Sequence, residues 1–373
     1  MDKLNSKHFA FYILATVIVS LKTYPGIFMR DGGRESWIAI TISSALIYAF
    51  FIYLISICKK TGVFNMREIY EKAVGKKLGD ALIVLFIITL FASLVESASA
   101  EANSMHTNMM LETPIWYLLL FFVFPIIYTI RKEIVAITTV TMIGIILIML
   151  AGINLGILTA KYKDLSLMFP VFREGIKPGF ILAIIKSLGL YGCISISLPY
   201  LVKIEEREKI IKHSTVALII VIQMEIVSVT GIITTFGPEF GNTMSYPKLI
   251  QTQQVSYLRF LEFGELYVML QILGGFMLKY LLSFYSMLIL LKGLGLKRKQ
   301  LIWITYIASV VVFAASNVVA GNLFLLFTYF NLYSYISLFN FIIIPFIMFT
   351  IFAMKQGKAE KSKYPEKPAS PHN

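Results

Sequence analysis

Five ionisable residues lie inside otherwise apolar stretches of this chain: Lys22, Glu96, Lys186, Glu225 and Lys279. At the centre of a membrane-spanning helix each would cost about 2.5–3.5 kcal/mol, so each must face protein or a water-filled cavity. Three lysines and two glutamates can neutralise one another as structural ion pairs. A lysine can also occupy the place of a sodium ion, and a glutamate can carry a coupling proton. Residue type alone leaves all three roles open.

Two of these lysines sit where a helix should break. In Ser20-Leu21-Lys22-Thr23-Tyr24-Pro25-Gly26 the proline removes a backbone donor and the glycine adds freedom, which predicts unwinding. Lys186-Ser187-Leu188-Gly189-Leu190-Tyr191-Gly192, followed by Ser195, Ser197 and Pro199, is its counterpart. Unwound backbone is tolerated in hydrocarbon only against protein, water or ligand. Free amides suit a carboxylate and free carbonyls an ammonium, so a small zwitterion such as an amino acid is the expected ligand.

Two polar stripes at steps of three and four complete the candidate site. One holds Ser93, Glu96, Ser97, Ala100, Glu101, Ser104 and Asn108; the other holds Gln271, Gly275, Lys279, Ser283 and Ser286. Asn331, Ser334, Tyr335, Ser337 and Asn340 offer a further wall. The ligand-binding candidates are therefore Ser20, Lys22, Thr23, Glu96, Ser97, Ala100, Leu188, Gly189, Tyr191, Gly192 and Lys279. The candidates for coupling or ion pairing are Lys22, Glu96, Lys186, Glu225 and Lys279.

The elements that must position these residues are membrane spans. Of 373 residues, 57% are hydrophobic and 15% charged, and the mean hydropathy is +0.76, which excludes a water-soluble enzyme. Ten spans are expected, at 9–29, 36–58, 80–106, 114–130, 134–160, 178–202, 213–236, 264–291, 301–320 and 325–354. Residues 1–354 then form one integral membrane domain, with repeats at about 9–160 and 178–354, and 355–373 a disordered cytoplasmic tail. The breaks fall in spans 1 and 6 and the stripes in spans 3 and 8, which fits a five-plus-five inverted repeat with its site at the midplane. With the N-terminus cytoplasmic, 23 of the 34 lysines and arginines lie inside and 8 outside, so both termini are expected in the cytoplasm.

That sorting accounts for the net charge of +13 without nucleic acid. The outer loop 237–263, with Leu249, Val255, Leu258 and Leu261, is amphipathic enough to lie on the membrane or cap a vestibule. Cys58 and Cys193 read as buried thiols rather than a disulfide, and four scattered histidines suggest no metal. No activated nucleophile or phosphate loop appears, so neither an enzyme nor a cofactor is expected.

Several strings resemble the endospore germination permeases, the B subunits of spore germinant receptors in the amino acid–polyamine–organocation superfamily. They are Gly33-Arg34-Glu35-Ser36-Trp37-Ile38-Ala39, Leu111-Glu112-Thr113-Pro114-Ile115-Trp116, Phe169-Pro170-Val171 with Glu174-Gly175-Ile176-Lys177-Pro178, Gly237-Pro238-Glu239 with Tyr246-Pro247, Phe260-Leu261-Glu262, and Gly275-Phe276-Met277-Leu278-Lys279. Their order spans nearly the whole chain. The resemblance implies a ten-helix LeuT-like fold, an amino acid or similar germinant, and a receptor shared with a membrane-attached A subunit and a lipoprotein C subunit in the spore inner membrane. It also implies a glycine–small–glycine break in span 1. Here those positions hold Ile18, Val19 and Ser20, and Lys22 is expected to supply a fixed charge instead. Ligand sensing is the leading expectation, ahead of an autonomous proton-coupled amino acid permease and a ligand-gated conduit for ions or water.

Overall fold

A computed structural model describes residues 4–132, 134–173, 175–253 and 263–363. Lys3, Glu174, Val255, Leu258, Arg259, Phe260, Leu261, Glu262 and residues 364–373 lie outside the described residues.

The first apolar stretch forms three short helices: α1 (Ser6–Val17), α2 (Ser20–Thr23) and α3 (Gly26–Gly32). Then follow α4 (Ser36–Thr61), a short α5 (Met66–Val74), α6 (Lys76–Asn108), α7 (Ile115–Arg131) and α8 (Ile134–Leu158). α9 (Pro178–Tyr191) runs into a 3-10 segment, Gly192–Lys203. After it come α10 (Ile210–Phe236), the outer-loop helices α11 (Pro238–Thr243) and α12 (Pro247–Gln253), α13 (Phe263–Gly293) and α14 (Arg298–Ala320). α15 (Leu323–Ser337) passes through a π segment, Leu338–Ile343, into α16 (Ile344–Lys363).

Eight helical stretches among the described residues are long and apolar enough to cross a membrane. α7 is apolar but has 17 residues, and the first stretch is divided, so length alone does not return ten spans. α13 packs most extensively on α6 and α8, α4 on α9, and α1 on α10. This follows from wide apolar faces, since lipid-exposed and protein-facing sides differ little in hydrophobicity and packing decides which side is buried.

Three local expectations change. The first break opens at Ile18–Val19, ahead of the expected segment, and a second comes at Tyr24–Pro25, leaving one helical turn between. No glycine sits at the first break. The one that permits it is on the facing helix: a Cβ on Gly275 would lie 2.9 Å from the Val19 side chain. The sixth span does not unwind from Lys186; α9 stays helical through Tyr191 and tightens to 3-10 geometry only at Gly192. The last helix continues to Lys363, beyond the expected start of the tail at 355, because Lys, Gln, Ala and Glu favour helix and the first proline comes at Pro365.

The outer loop folds inward. Tyr246 and Leu249 are buried, and α12 packs on α2, α10 and α13. The Tyr246 hydroxyl donates to Asn103 Oδ1 on α6 at 2.8 Å, and Arg30 Nε on α3 donates to the Asn242 carbonyl at 3.2 Å. At the other end of the bundle the chain start is tied to the connection after the 3-10 segment. Asn5 and Glu206 form an isolated parallel bridge, in which Ser6 N donates to the Glu206 carbonyl at 3.1 Å and Glu205 N to that of Leu4 at 2.9 Å.

Candidate functional site

The turn between the two breaks delivers Ser20 to the polar stripes. Glu96 on α6 and Lys279 on α13 are fully buried and form an ion pair of 2.7 Å. Lys279 Nζ also donates to Ser20 Oγ at 2.6 Å, and Ser20 donates on to Glu96 Oε1 at 3.0 Å. The Tyr24 hydroxyl donates to the same oxygen. Ser97 divides its one proton between Glu96 Oε2, 3.0 Å away, and the Ser93 carbonyl at 2.8 Å.

The carboxylate is thus surrounded by donors from three helices. A buried ion pair is tolerable only when its remaining lone pairs and protons are so occupied. Aromatic rings close the site: Tyr24 stacks on Phe330 at 4.2 Å between centroids, and Lys279 Nζ lies 5.5 Å from the centre of the Tyr333 ring. Ser93 and Ser283 hydroxyls meet at 3.3 Å one turn away, joining the two stripes directly.

A second buried cluster lies toward the outer loop. Both Glu225 carboxylate oxygens are enclosed without a hydrogen-bond partner among the described residues. Lys22 and Lys248 are near enough to act on Glu225 electrostatically, and Lys163 acts on Lys248. Lys22 Nζ donates to Gln271 Oε1 at 3.3 Å, while Gln271 Nε2 has no acceptor among the described residues. Lys248 Nζ donates to Gln251 Oε1 at 2.8 Å, and Gln251 Nε2 donates to the Gly231 carbonyl at 2.9 Å. Two lysines therefore act on one carboxylate, with a third, Lys163, behind Lys248, an arrangement with more basic groups than acidic ones.

Lys248, in the outer loop, is half-buried. Burial, then the nearby Lys163 and Lys22, push its pKa down from 10.5 to about 7 against the pull of Glu225. Between about pH 7 and 10.5 the unfolded chain binds a proton that the folded one does not, so stability rises with pH in that window. The melting temperature should accordingly rise from pH 7 to pH 9, and Lys248→Met should flatten the rise. An equal slope in variant and wild type would assign the effect to other groups.

The candidates are brought together selectively. Ser20, Glu96, Ser97 and Lys279 form one network, with Thr23 in the same turn, its hydroxyl donating to the Val19 carbonyl at 2.7 Å; Ala100 is buried a turn along from Glu96. Lys22 and Glu225 belong to the outer cluster. Lys186 joins neither: it pairs with Asp31 on α3 at 2.7 Å. α3 runs directly along α9, where a Cβ on Gly179 would strike the Asp31 backbone.

Because α9 stays helical, Leu188 is only half-buried and the Tyr191 hydroxyl turns to Ser44 Oγ on α4 at 2.7 Å. Gly189 and Gly192 instead face Ser334 and Ser337 across the helix interface. The Lys186–Asp31 pair has side-chain exposures of 10% and 25%, so Lys186 is buried and Asp31 only half-buried. Asp31→Asn should therefore cost more than an exposed pair, about 1 kcal/mol, because it leaves the Lys186 ammonium without its partner, but less than a change at Lys279, whose pair is fully buried. It would be read as an intermediate fall in melting temperature. A fall as large as at Lys279 would show that the pair is a main support of the fold.

Sequence reasoning missed Tyr24, Asp31, Lys163 and Lys248 as site residues. Tyr24 lies inside the first helix break, Lys163 and Lys248 count among the basic residues of the outside connections, and Asp31 carries no local signal.

The family described as spore germination protein matches residues 3–323 of the chain. No curated protein matches it. Among solved structures, the substrate-bound outward-open state of a Na+-coupled sialic acid symporter is similar, with a TM-score of 0.60 and 12% identity over 85% of this chain and 72% of that one. At that identity the likeness is one of fold, and it gives this all-helical chain a LeuT-like transporter architecture.

Proposed function

We propose, from the premise that this chain belongs to the spore germination protein family, that it is the nutrient-sensing membrane subunit of a spore germinant receptor. Family and fold are those of an integral multi-pass membrane transporter or receptor rather than an enzyme. On our reading the chain crosses the membrane ten times, counting the divided first stretch and α7, with both termini cytoplasmic and with A and C subunits as partners. A small nutrient, an amino acid by preference, binds where α2, α6 and α13 meet and shifts the broken helices between two arrangements.

The single observation that carries this reading is the Lys279–Glu96–Ser20 network. It fixes the single turn between the two breaks of the first stretch to two long helices by charge-assisted bonds that a competing ligand group can exchange. The ammonium also supplies the positive charge that a sodium ion would otherwise bring to this fold. In the outer cluster, the excess of ammonium over carboxylate favours a ligand bearing a carboxylate.

The fold of the symporter favours one other reading, an autonomous proton-coupled permease. Purified protein in liposomes separates the two. Under the sensor reading a thermal-shift screen of amino acids, sugars and nucleosides finds a stabilising ligand, yet an imposed proton gradient drives no uptake of it. Uptake without partner subunits would overturn the sensor reading in favour of the permease.

A further inference from the structure

Away from both clusters, a cavity of about 670 Å³ lies where α7, α8, the 3-10 segment, α13 and α14 meet. Leu288 on its wall is nine residues beyond Lys279 on α13, about 13 Å along the helix. Its lining includes Arg67, Arg131, Lys132, Lys203, Lys292 and Arg298, and none of the described residues that line it is acidic; Glu133 lies outside the described residues.

Part of this charge is already engaged. Arg67 pairs with Asp80 at 2.6 Å, Arg131 donates to the Tyr306 hydroxyl at 2.8 Å, and Lys132 lies 4.7 Å from the centre of the Tyr128 ring. Lys203 and Lys292, by contrast, line the same wall, and Lys292 repels Lys203. Arg298 opens α14, where the helix dipole favours an anion rather than a cation. A concave site that holds like charges together gains most from a multivalent anion.

The rest of the wall is apolar, including Ile130, Leu288 and Ile302. Exposed aromatic side chains stand beside it: Trp303, Tyr306 and Tyr128. Tyrosine and tryptophan beside arginine and lysine mark the level of lipid head groups. Basic pockets between spanning helices at that level suit phosphate head groups.

We propose that this cavity binds the phosphate head group of an anionic phospholipid, held by Lys203, Lys292 and Arg298, with the acyl chains lying along Ile302 and the α14 face. The site is independent of the nutrient reading, since none of its residues belongs to either buried cluster.

The test uses the full chain in nanodiscs and native mass spectrometry, with phosphatidylglycerol compared against phosphatidylcholine. Phosphatidylglycerol should be retained selectively. The combined variant Lys203→Gln, Lys292→Gln, Arg298→Gln should weaken that retention by about tenfold or more, as three basic side chains near an anionic surface imply. A control losing the exposed Lys60, Lys76 and Lys77 should retain it. Lys203→Gln alone, with an unchanged melting profile, guards against a fold defect in the triple variant and should give a partial loss.

Equal weakening in the control would reduce the effect to bulk charge and overturn the site. So would retention of both lipids alike. Stabilisation by inorganic phosphate in lipid-free micelles, lost in the triple variant and without preference for phosphatidylglycerol, would assign the cavity to a free phosphate and overturn the lipid.

Discussion

Replacing Lys279 with methionine is expected to abolish the nutrient response and to destabilise the protein by about 3–5 kcal/mol, because it strands a carboxylate at a fully buried position. Glu96 would keep its bonds from Ser20, Tyr24 and Ser97, but its charge would have no counterion among them. Glu96→Gln should also destabilise, since it strands the buried Lys279 ammonium. Its single amide oxygen can still accept from Ser20 and Tyr24, but its NH2 cannot accept from Ser97 or Lys279, and it should be equally silent to nutrient. The double variant Lys279→Met, Glu96→Gln should recover most of the lost melting temperature and none of the response. Melting curves in detergent and nutrient dose–response of spores carrying each variant would measure the two effects. Unchanged dose–response in both single variants would leave the pair a structural strut only.

Gly189→Ala should be nearly as damaging, for a steric reason. A Cβ there would fall on the Ser334 carbonyl of α15, with the carbonyl carbon at 2.8 Å. Main chain cannot rotate aside, so α9 and α15 must separate, at a cost at or above the usual overpacking range of about 1–3 kcal/mol. Gly192→Ala is the comparison: its closest neighbour is the Ser337 hydroxyl at 2.6 Å, which can turn away. The expected order is a large fall in melting temperature and membrane yield for Gly189→Ala and less than half of it for Gly192→Ala. Equal small effects would show that the α9–α15 interface can relax.

The class of fold was legible because hydrocarbon leaves few solutions: long apolar stretches with basic connections can only be spanning helices. The stripes were legible for the same reason, since polar residues at helical steps in hydrocarbon must face one another, and Glu96 did meet Lys279. What the sequence concealed depends on second partners. Glycine was read as a sign of unwinding at Gly189, but a glycine can equally serve a close approach of two helices, and only the neighbour decides. Conversely, the break at Ile18–Val19 has no glycine of its own because Gly275 makes room from across the interface. Lys163 and Lys248 count as connection charges, and Asp31 draws no notice, because nothing local indicates that α3, the 160–168 segment and α12 fold back against the bundle.

The bridge between Asn5 and Glu206 bears on how many states this protein can have. It joins the start of α1 to the strand-like link just after the 3-10 segment, so the first half of one irregular helix and the second half of the other hang from one backbone bridge. Two segments free to move separately would have four combinations of position. Fastened to each other they have two, and a signal read from either one is a signal about both.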